Sequence, residues 1–257
     1  MDLSAVLFDA DGTIAETEDF HRISFNESFK EFGLNWYWDN AIYKELINVG
    51  GGKERIIYHI NRAWPEMLEY KNLNKYITSI LQTKNDIFSD YMKESKIKPR
   101  PGILRLLKEL KEKNIRTGLV SSASQKNLTD LFINGLNVNP EDLFDVIAHG
   151  ETTANKKPSP EIYEWVLENL KLPSSACLAI EDSPRGLESA SKAKIKVLIT
   201  PSKLMIDENF DDAITVLSDL GDENKPFELI SGNSFGFKKV DYEFLNKVHG
   251  LQQNIKY

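Results

Sequence analysis

Acidic, hydroxyl and ammonium side chains follow four apolar segments of this sequence, at or soon after the point where each segment ends. These residues are Asp9, Asp11, Ser121, Lys157, Glu181 and Asp182. Several carboxylates that meet at one point stay ionised only when a cation offsets their repulsion. Ligands that are all oxygen favour magnesium over zinc. The sequence therefore predicts a Mg²⁺ site, provided that the fold brings these residues together.

The predicted pairing of magnesium with a lysine suits a phosphoryl group, whose transfer depends mainly on positioning and charge stabilisation. A carboxylate can attack the phosphorus and form an aspartyl-phosphate. A second carboxyl group nearby can protonate the leaving oxygen and then take a proton from water. A calcium loop counted from Asp9 fails because its twelfth position is Phe20 instead of glutamate. Ser121 and Ser122 are not flanked by the Gly-x-Ser-x-Gly elbow of serine hydrolases.

The segments that would carry these residues alternate between strand and helix. Apolar runs predict strands at residues 5–8, 116–120, 146–148, 176–180 and 196–199, with a further one near 213–216. Helical periodicity predicts helices at residues 103–113, 125–135, 160–170 and 184–193. Such alternation is typical of a parallel sheet covered by helices on both faces, and ligands of these sheets bind beyond the carboxyl ends of the strands. We therefore expect the residues above to converge on one edge of the sheet.

Residues 17–95 differ from the rest of the chain because their apolar residues recur at helical spacing and no strand pattern is evident. Glycines at 50–52 and Pro65 interrupt this stretch. The fold class that we predict is α/β: a doubly wound, Rossmann-like parallel-sheet core with a small all-helical cap inserted after the first strand. The core would consist of residues 1–15 and 100–257. The cap, residues 16–99, would set substrate specificity.

Four segments resemble, in order, the four motifs of the haloacid dehalogenase superfamily. They are residues 7–13 (LFDADGT), Ser121, residues 157–161 (KPSPE) and residues 180–186 (IEDSPRG). The helical block between the first two motifs matches the position of the cap in that superfamily. The resemblance implies a Mg²⁺-dependent phosphatase in which Asp9 is the nucleophile and a metal ligand. Asp11 would be the general acid/base, and its backbone carbonyl would also bind the metal.

The same resemblance assigns roles to the other core residues. Thr13 and Ser121 would hold phosphate oxygens. Lys157 would offset the charge of the nucleophile and of the transferring group. Asp182, together with Glu181, would complete the metal site.

The start of the predicted cap places a histidine close to the catalytic loop. Thr17, His21 and Phe25 share one helical face, since each lies four residues after the one before. Glu18 lies three residues before His21 and therefore projects from the helix at an adjacent angle around its axis. A lone histidine is usually structural, but this position makes His21 a candidate site residue.

A glycine run at residues 50–52 opens a later helix of the predicted cap. Backbone N–H groups at such a helix start can bind an anion, and Lys53 and Arg55 add positive charge. The alternative is a flexible turn before an ordinary helix. If the run binds an anion, the substrate carries a second phosphate far from the one that is cleaved. That would favour a sugar bisphosphate over a monophosphate.

The cap resembles that of the CbbY group of this superfamily, on residues 16–18, 21–22, 25–27, 33–36, Tyr43 and 51–55. Members of that group release xylulose-5-phosphate from xylulose-1,5-bisphosphate, an inhibitory by-product of Rubisco, so the resemblance implies this substrate. The residues expected to contact the substrate are Thr13, Glu18, His21, Tyr43, Gly51, Gly52, Lys53 and Arg55. For Tyr43 the alternative is an aromatic residue of the cap core.

Three alternatives stay open on the sequence. A phosphomutase similar to β-phosphoglucomutase would use the same acids, because Asp11 serves whether water or a sugar hydroxyl attacks the aspartyl-phosphate. A phosphatase of another sugar phosphate would differ only in its cap. A non-catalytic phosphosugar-binding protein of the same fold is disfavoured, since none of the predicted nucleophile and metal residues is missing.

The charge balance, 32 Lys and Arg against 39 Asp and Glu, gives a formal net charge of −7 and argues against a nucleic-acid partner. The single cysteine, Cys177, excludes a disulfide framework and a multi-cysteine zinc site. The apolar run at 5–8 is too short for a signal peptide or a membrane span. We expect a monomer that binds Mg²⁺ and a small sugar phosphate and has no membrane partner. Its predicted location is the cytoplasm, or the plastid stroma if a transit peptide has been removed.

Overall fold

The computed structural model describes residues 2–95 and 97–251, and its strands form one sheet. They are β1 (Ala5–Phe8), β2 (Arg116–Val120), β3 (Val146–Ala148), β4 (Cys177–Glu181), β5 (Lys196–Ile199), β6 (Thr215–Leu217) and β7 (Leu229–Ser231). Within the described residues their order is β3-β2-β1-β4-β5-β6-β7. β1 to β6 are parallel, and β7 pairs antiparallel with β6 at the edge. The chain thus winds in both directions from β1, as predicted.

Helices cover this sheet and form the cap. They are α1 (Glu18–Glu31), α2 (Asn40–Ile47), α3 (Gly52–Ala63), α4 (Leu73–Glu94), α5 (Ile103–Glu112), α6 (Gln125–Thr129), α7 (Glu161–Leu170), α8 (Pro184–Lys192) and α9 (Tyr242–His249). α6 continues as a π-helical turn, Asp130–Gly135, and short 3₁₀ turns occupy Pro65–Glu69, Pro140–Asp142 and Ser174–Ala176. No helix of the described chain has both the length and the apolar character that a bilayer span requires.

Alternation along β1 divides the core into two layers. Ala5 and Leu7 pack in one hydrophobic cluster with α7 and α8, and Val6 and Phe8 pack in the other with α5 and α9. All four residues of β1 are buried, which is why a central parallel strand appears in the sequence as a continuous apolar run. The predicted α/β fold with a helical insertion after the first strand is confirmed.

Helices α1 to α4 form the insertion between β1 and α5. Aromatic side chains make its core: Trp38 lies 4.7 Å from Phe25 and 4.8 Å from Phe29 between ring centroids. Contacts of this kind add about 0.5–1.5 kcal/mol each beyond the area that they bury. The cap limits of 16 and 99 stay a prediction; α1 begins at Glu18 and α4 ends at Glu94.

Arg100, in the second connection between cap and core, ties together segments that are far apart in sequence. Its Nη1 donates to the carbonyl oxygen of Gly12 and, at 2.7 Å, to that of Thr200. Its Nη2 donates to the carbonyl oxygens of Pro201 and Ser218 at 2.9 and 2.8 Å. Only 9% of the side chain is exposed. These bonds therefore fix the catalytic loop and the C-terminal segment to each other.

The C-terminal part contains more regular structure than its sequence pattern predicts. The strand predicted near 213–216 is β6, but β7 and α9 are absent from the prediction. α9 buries Phe244, Leu245 and Val248, and three apolar positions in a helix of 8 residues are too few for the periodicity to stand out. β7, Leu-Ile-Ser, has only two adjacent apolar residues, so it does not form a recognisable apolar run.

Candidate active site

A cavity of about 280 Å³ lies between the carboxyl ends of the central strands and the cap. The predicted site residues that line it are Asp9, Asp11, Glu18, His21, Gly51, Gly52, Lys53, Arg55, Ser121, Lys157 and Asp182. Three other predicted residues, Thr13, Tyr43 and Glu181, are fully buried behind this lining. The structure thus brings together side chains from core and cap segments that are distant in sequence.

Lys157 is the centre of the polar contacts on the core side. Its Nζ lies 2.7 Å from Oδ1 of Asp9 and 2.6 Å from Oε1 of Glu181, and it donates to the carbonyl oxygen of Val120 at 2.7 Å. The hydroxyl of Tyr163 also donates to Glu181. Burial alone would lower the pKa of the ammonium, but the charges of Asp9 and Glu181 outweigh burial and raise it. Lys157 is therefore a fixed positive charge beside the predicted nucleophile.

Asp9, Glu181 and Asp182 form an acidic cluster with carboxylate oxygens that lie within 4.8 Å of one another. Burial raises the pKa of Asp9 to about 7 despite the opposing charge of Lys157. Burial and the charge of Asp9 raise the pKa of Asp182 well above its usual range. Oε2 of Glu181 is buried and has no hydrogen-bond partner among the residues that the structure describes. Excess negative charge, oxygen donors and an unpartnered oxygen fit a divalent cation such as Mg²⁺.

Gly12 lets the loop that carries the first two acids approach Asp182. Its φ of +86° is unfavourable for residues with a side chain. A Cβ at this position would lie 2.2 Å from Oδ2 of Asp182. The glycine that follows Asp11 in the first motif is therefore required by packing.

Asp11 points away from the acidic cluster and towards the cap. Its Oδ1 accepts a hydrogen bond from the hydroxyl of Thr17 at 2.5 Å and lies 3.3 Å from Nε2 of His21. Burial would raise the pKa of Asp11, but hydrogen bonds from His21 and Thr17 and the charge of Lys84 outweigh it and hold the pKa at about 2. The side chain is therefore ionised. The metal ligation predicted for its backbone carbonyl stays a prediction.

His21 connects Asp11 to a lysine of α4. Nδ1 of His21 lies 2.8 Å from Nζ of Lys84, and the imidazole stacks on Phe88 with ring centroids 4.1 Å apart. Burial lowers the pKa of Lys84 to about 7, although the charge of Asp11 opposes this. The shared face of Thr17 and His21 that the spacing predicts is confirmed, since both side chains reach Asp11.

Tyr43 and Arg55 hold Glu18 on the cap side. The hydroxyl of Tyr43 donates to Oε2 of Glu18 at 2.9 Å, and Nη1 of Arg55 donates to the same hydroxyl at 3.0 Å. Nη1 also lies 3.8 Å from Oε2 of Glu18. Tyr43 is fully buried and does not line the cavity. It orients Glu18 and Arg55 from within the cap core, which is the alternative that the sequence leaves open for it.

The remaining predicted contacts differ in how they face the cavity. Gly51 is the N-cap of α3, whose first turn lines the cavity. The hydroxyl of Ser121 accepts a hydrogen bond from the backbone N–H of Ala123 at 3.0 Å. Oγ1 of Thr13 is buried and, in the described part of the chain, has no partner. Thr13 does not line the cavity, and its predicted contact with a phosphate stays a prediction.

Three cations of the cavity, Lys84, Lys156 and Arg185, are absent from the predicted set, and two of them occupy positions that are unusual for a cation. Lys84 takes an otherwise apolar position of α4, in line with Ile80 and Phe88, and lysine is rarely buried unless it is paired. Arg185 lies in the first turn of α8, where a cation opposes the helix dipole. Both irregularities are visible in the sequence once the helix limits are known.

A Gly-x-Ser-x-Gly pattern does occur in the chain, at residues 232–236, away from the site. It lies in a loop after β7 and is followed by a turn instead of a helix. The serine-hydrolase elbow needs a strand-to-helix turn that exposes the nucleophile above the sheet. The pattern therefore carries no catalytic meaning here.

The family described as haloacid dehalogenase-like hydrolase matches residues 6–200 of this chain. Protein CbbY of Cupriavidus necator is 36% identical over 224 residues, which cover 87% of this chain and 88% of that protein. A crystal structure of a CbbY variant from Rhodobacter sphaeroides in complex with xylulose-1,5-bisphosphate has a TM-score of 0.77 at 35% identity, covering 84% of this chain and 94% of that one. A β-phosphoglucomutase structure from Clostridium difficile shares the fold, with a TM-score of 0.65 at 23% identity. The match covers 80% of this chain and 94% of that one.

Proposed function

This chain belongs to the haloacid dehalogenase-like hydrolase family, and on that basis we propose that it removes one phosphate from a sugar bisphosphate with Mg²⁺ as its cofactor. The substrate that we propose is xylulose-1,5-bisphosphate, with xylulose-5-phosphate as the product. The CbbY variant of 35% identity binds that bisphosphate, which supports the choice.

The observation that carries the proposal is the division of the cavity into an acidic end and a cationic end. At the core end lies the cluster of Asp9, Glu181 and Asp182, and Lys157 contacts the first two of these. At the cap end, Arg55 and the first turn of α3 face the same space, and Glu18 lies 3.8 Å from Arg55. A monophosphate bound to the acidic end through a metal would leave the N–H groups at the start of α3 without a phosphate. A bisphosphate supplies a charged group to each end.

Each step of hydrolysis has a residue in position for it. Asp9 attacks the phosphorus, so that an aspartyl-phosphate forms as the bond to the sugar oxygen breaks. Asp11 is ionised while Thr17 and His21 hold it, so in this role it must bind a proton before it gives one to that oxygen. Once ionised again, it takes a proton from the water that attacks the aspartyl-phosphate. Lys157 stays protonated and offsets the charge of Asp9 and of the transferring group.

The acidic cluster is where the metal would bind. Asp9, Glu181 and Asp182 would hold Mg²⁺, with the backbone carbonyl of Asp11 as a further proposed ligand. When bound, the ion supplies positive charge to the phosphate oxygens. It would also lower the raised pKa of Asp9 and of Asp182, because it favours their ionised forms.

Phosphate release from a panel of sugar mono- and bisphosphates, with Mg²⁺ and with chelator, tests the proposal. The expected result is a kcat/KM for xylulose-1,5-bisphosphate at least about 100-fold above that for sugar monophosphates, lost with chelator. Asp9→Asn is the matched control for contaminating phosphatase. Release from another sugar phosphate with equal efficiency would contradict the substrate, and isomerised sugar phosphate without release would identify a mutase.

A further inference from the structure

Arg185 belongs to the core but contacts the cap. Its Nη1 donates to the carbonyl oxygen of Ile47 at 2.8 Å, and its Nη2 donates to that of Lys157. Ile47 is the last residue of α2. The guanidinium therefore lies at a helix C-terminus, where free carbonyls and the helix dipole favour a cation. One side chain thus joins a cap helix to the backbone of the catalytic lysine.

The glycine run at 50–52 leaves room for this arginine. A Cβ at Gly50 would lie 2.8 Å from Nη2 of Arg185 and 3.1 Å from the carbonyl oxygen of Lys157. A side chain here would push the guanidinium aside and crowd the carbonyl oxygen of Lys157. Gly50 therefore permits the close approach of cap and core, a role separate from opening α3.

The loop between α2 and α3 is held from both sides. From the cap, Nε of Arg55 donates to the carbonyl oxygen of Val49 at 3.1 Å. From the core, Arg185 holds Ile47, and Nζ of Lys156 lies 3.5 Å from Oε2 of Glu54. A core lysine thus reaches the cationic end of the cavity only while this loop lies on the core.

We propose that Arg185 is a positioning residue that latches residues 47–52 of the cap onto the core and so completes the site for the second phosphate. The substrate part of this inference rests on the proposed function, whereas the latch itself does not. Nζ of Lys157 contacts Asp9 at 2.7 Å, so a single residue separates the latch from the nucleophile. A substrate that engages the cap depends on closure of the latch; a small aryl phosphate that meets only the core does not.

The test compares Arg185→Gln with Lys44→Gln. Lys44 makes a different, more exposed contact between cap and core, 3.6 Å from Asp207 and 3.5 Å from Glu208, and exposed pairs of this kind contribute little. Hydrogen exchange of the Mg²⁺-loaded enzyme is measured for peptides that cover residues 47–52. Kinetics are measured with xylulose-1,5-bisphosphate and with p-nitrophenyl phosphate.

For Arg185→Gln we expect exchange at residues 47–52 to become about tenfold faster, the effect of losing one charge-assisted hydrogen bond. The KM for the bisphosphate should rise by a similar factor with kcat within about twofold, because fewer molecules are in the closed state. The KM for p-nitrophenyl phosphate should rise less than the KM for the bisphosphate does, because this substrate does not engage the cap. Arg185→Lys should behave like the glutamine variant, since one ammonium does not span both carbonyls, and Lys44→Gln should behave like the wild type.

Unchanged exchange and an unchanged KM in Arg185→Gln would overturn the latch. Faster exchange throughout the chain with a lowered Tm would also overturn it, because the arginine would then be a general structural residue. Failure of the wild type to hydrolyse the bisphosphate would refute the proposed function alone. Faster exchange confined to residues 47–52 would support the latch even in that case.

Discussion

The two walls of the cavity carry opposite excesses of charge. On the core wall, the carboxylates of Asp9, Glu181 and Asp182 form a cluster, and the ammonium of Lys157 contacts the first two. On the cap wall, the carboxylate of Glu18 faces Arg55, and the amine of Lys84 lies against His21. The core wall therefore requires a further cation, and the cap wall favours an anion. Metal-assisted chemistry and recognition of a second phosphate are thus assigned to different walls.

The walls also differ in what fixes their geometry. Core side chains lie at the ends of paired strands, so the register of the sheet sets the distances between them. Cap side chains are placed by the packing of α1, α3 and α4 on one another. A substitution of Lys157 or of the acidic cluster on the core wall should therefore abolish chemistry for every substrate. A substitution on the cap wall should discriminate between substrates.

Asp9→Asn should give the largest effect of the variants that compare the two walls, because it removes the proposed nucleophile and leaves the cap wall intact. We expect kcat to fall by at least about 10⁴-fold. Binding of the bisphosphate, measured by calorimetry with Mg²⁺ present, should persist. Phosphate release is the activity readout, and appreciable turnover by a preparation free of wild-type enzyme would refute the nucleophile assignment.

Removing the metal should have the next largest effect. Chelator, or Asp182→Asn, should lower kcat by about 10³-fold, since the charge of the acidic cluster is then left without its cation. An ion bound to the proposed site would bind the folded protein, so Mg²⁺ should raise the Tm of the wild type in a concentration-dependent way. Thermal unfolding across a Mg²⁺ series checks this, and an equal shift in Asp182→Asn would place the ion elsewhere.

Arg55→Lys tests the cap wall. Lysine keeps the charge but loses the bond from Nε to Val49 and the fork that meets a phosphate with two N–H groups. We expect kcat/KM for the bisphosphate to fall about 100-fold and that for p-nitrophenyl phosphate to stay within about twofold. Arg62→Lys is the matched control on the same helix, because its side chain is 60% exposed. Equal losses of kcat/KM for both substrates would mean that the core wall and the cap wall do not have separate functions.

Lys84→Met should have the smallest effect of these variants, and the effect should be on the stability of the folded protein. The folded protein releases the Lys84 proton near pH 7, against an ordinary pKa of 10.5. Between these values the unfolded chain binds more protons, so wild-type stability rises with pH across this window. The free energy of unfolding of the variant should exceed that of the wild type by about 1–3 kcal/mol at pH 6.5. This difference should shrink towards pH 10. Urea unfolding at several pH values measures it; a widening difference would contradict the buried, deprotonating lysine.

The core site could be predicted because every residue in it follows a strand that is recognisable from its apolar run. Asp9 and Asp182 are distant in sequence, but parallel strands bring their carboxyl ends to one edge. The contact of His21 with Lys84 could not be predicted in this way. It joins residues that are 63 apart and depends on how α1 packs against α4, which no local pattern encodes. The sequence leaves Tyr43 open between a substrate contact and the cap core for a similar reason, because no local pattern shows what packs on its side chain.

The contacts of Arg100 show that the segment matched by the family, residues 6–200, is not the whole of the segment that stabilises the fold. The family match ends at residue 200, yet two carbonyls that accept from Arg100 belong to Pro201 and Ser218. A chain shortened to residue 200 would keep every predicted catalytic residue. It would also leave a buried guanidinium with unused donors next to the carbonyl of Gly12, and unpaired buried donors are strongly destabilising. The segment outside the shared module has thus become part of the scaffold on which the shared chemistry depends.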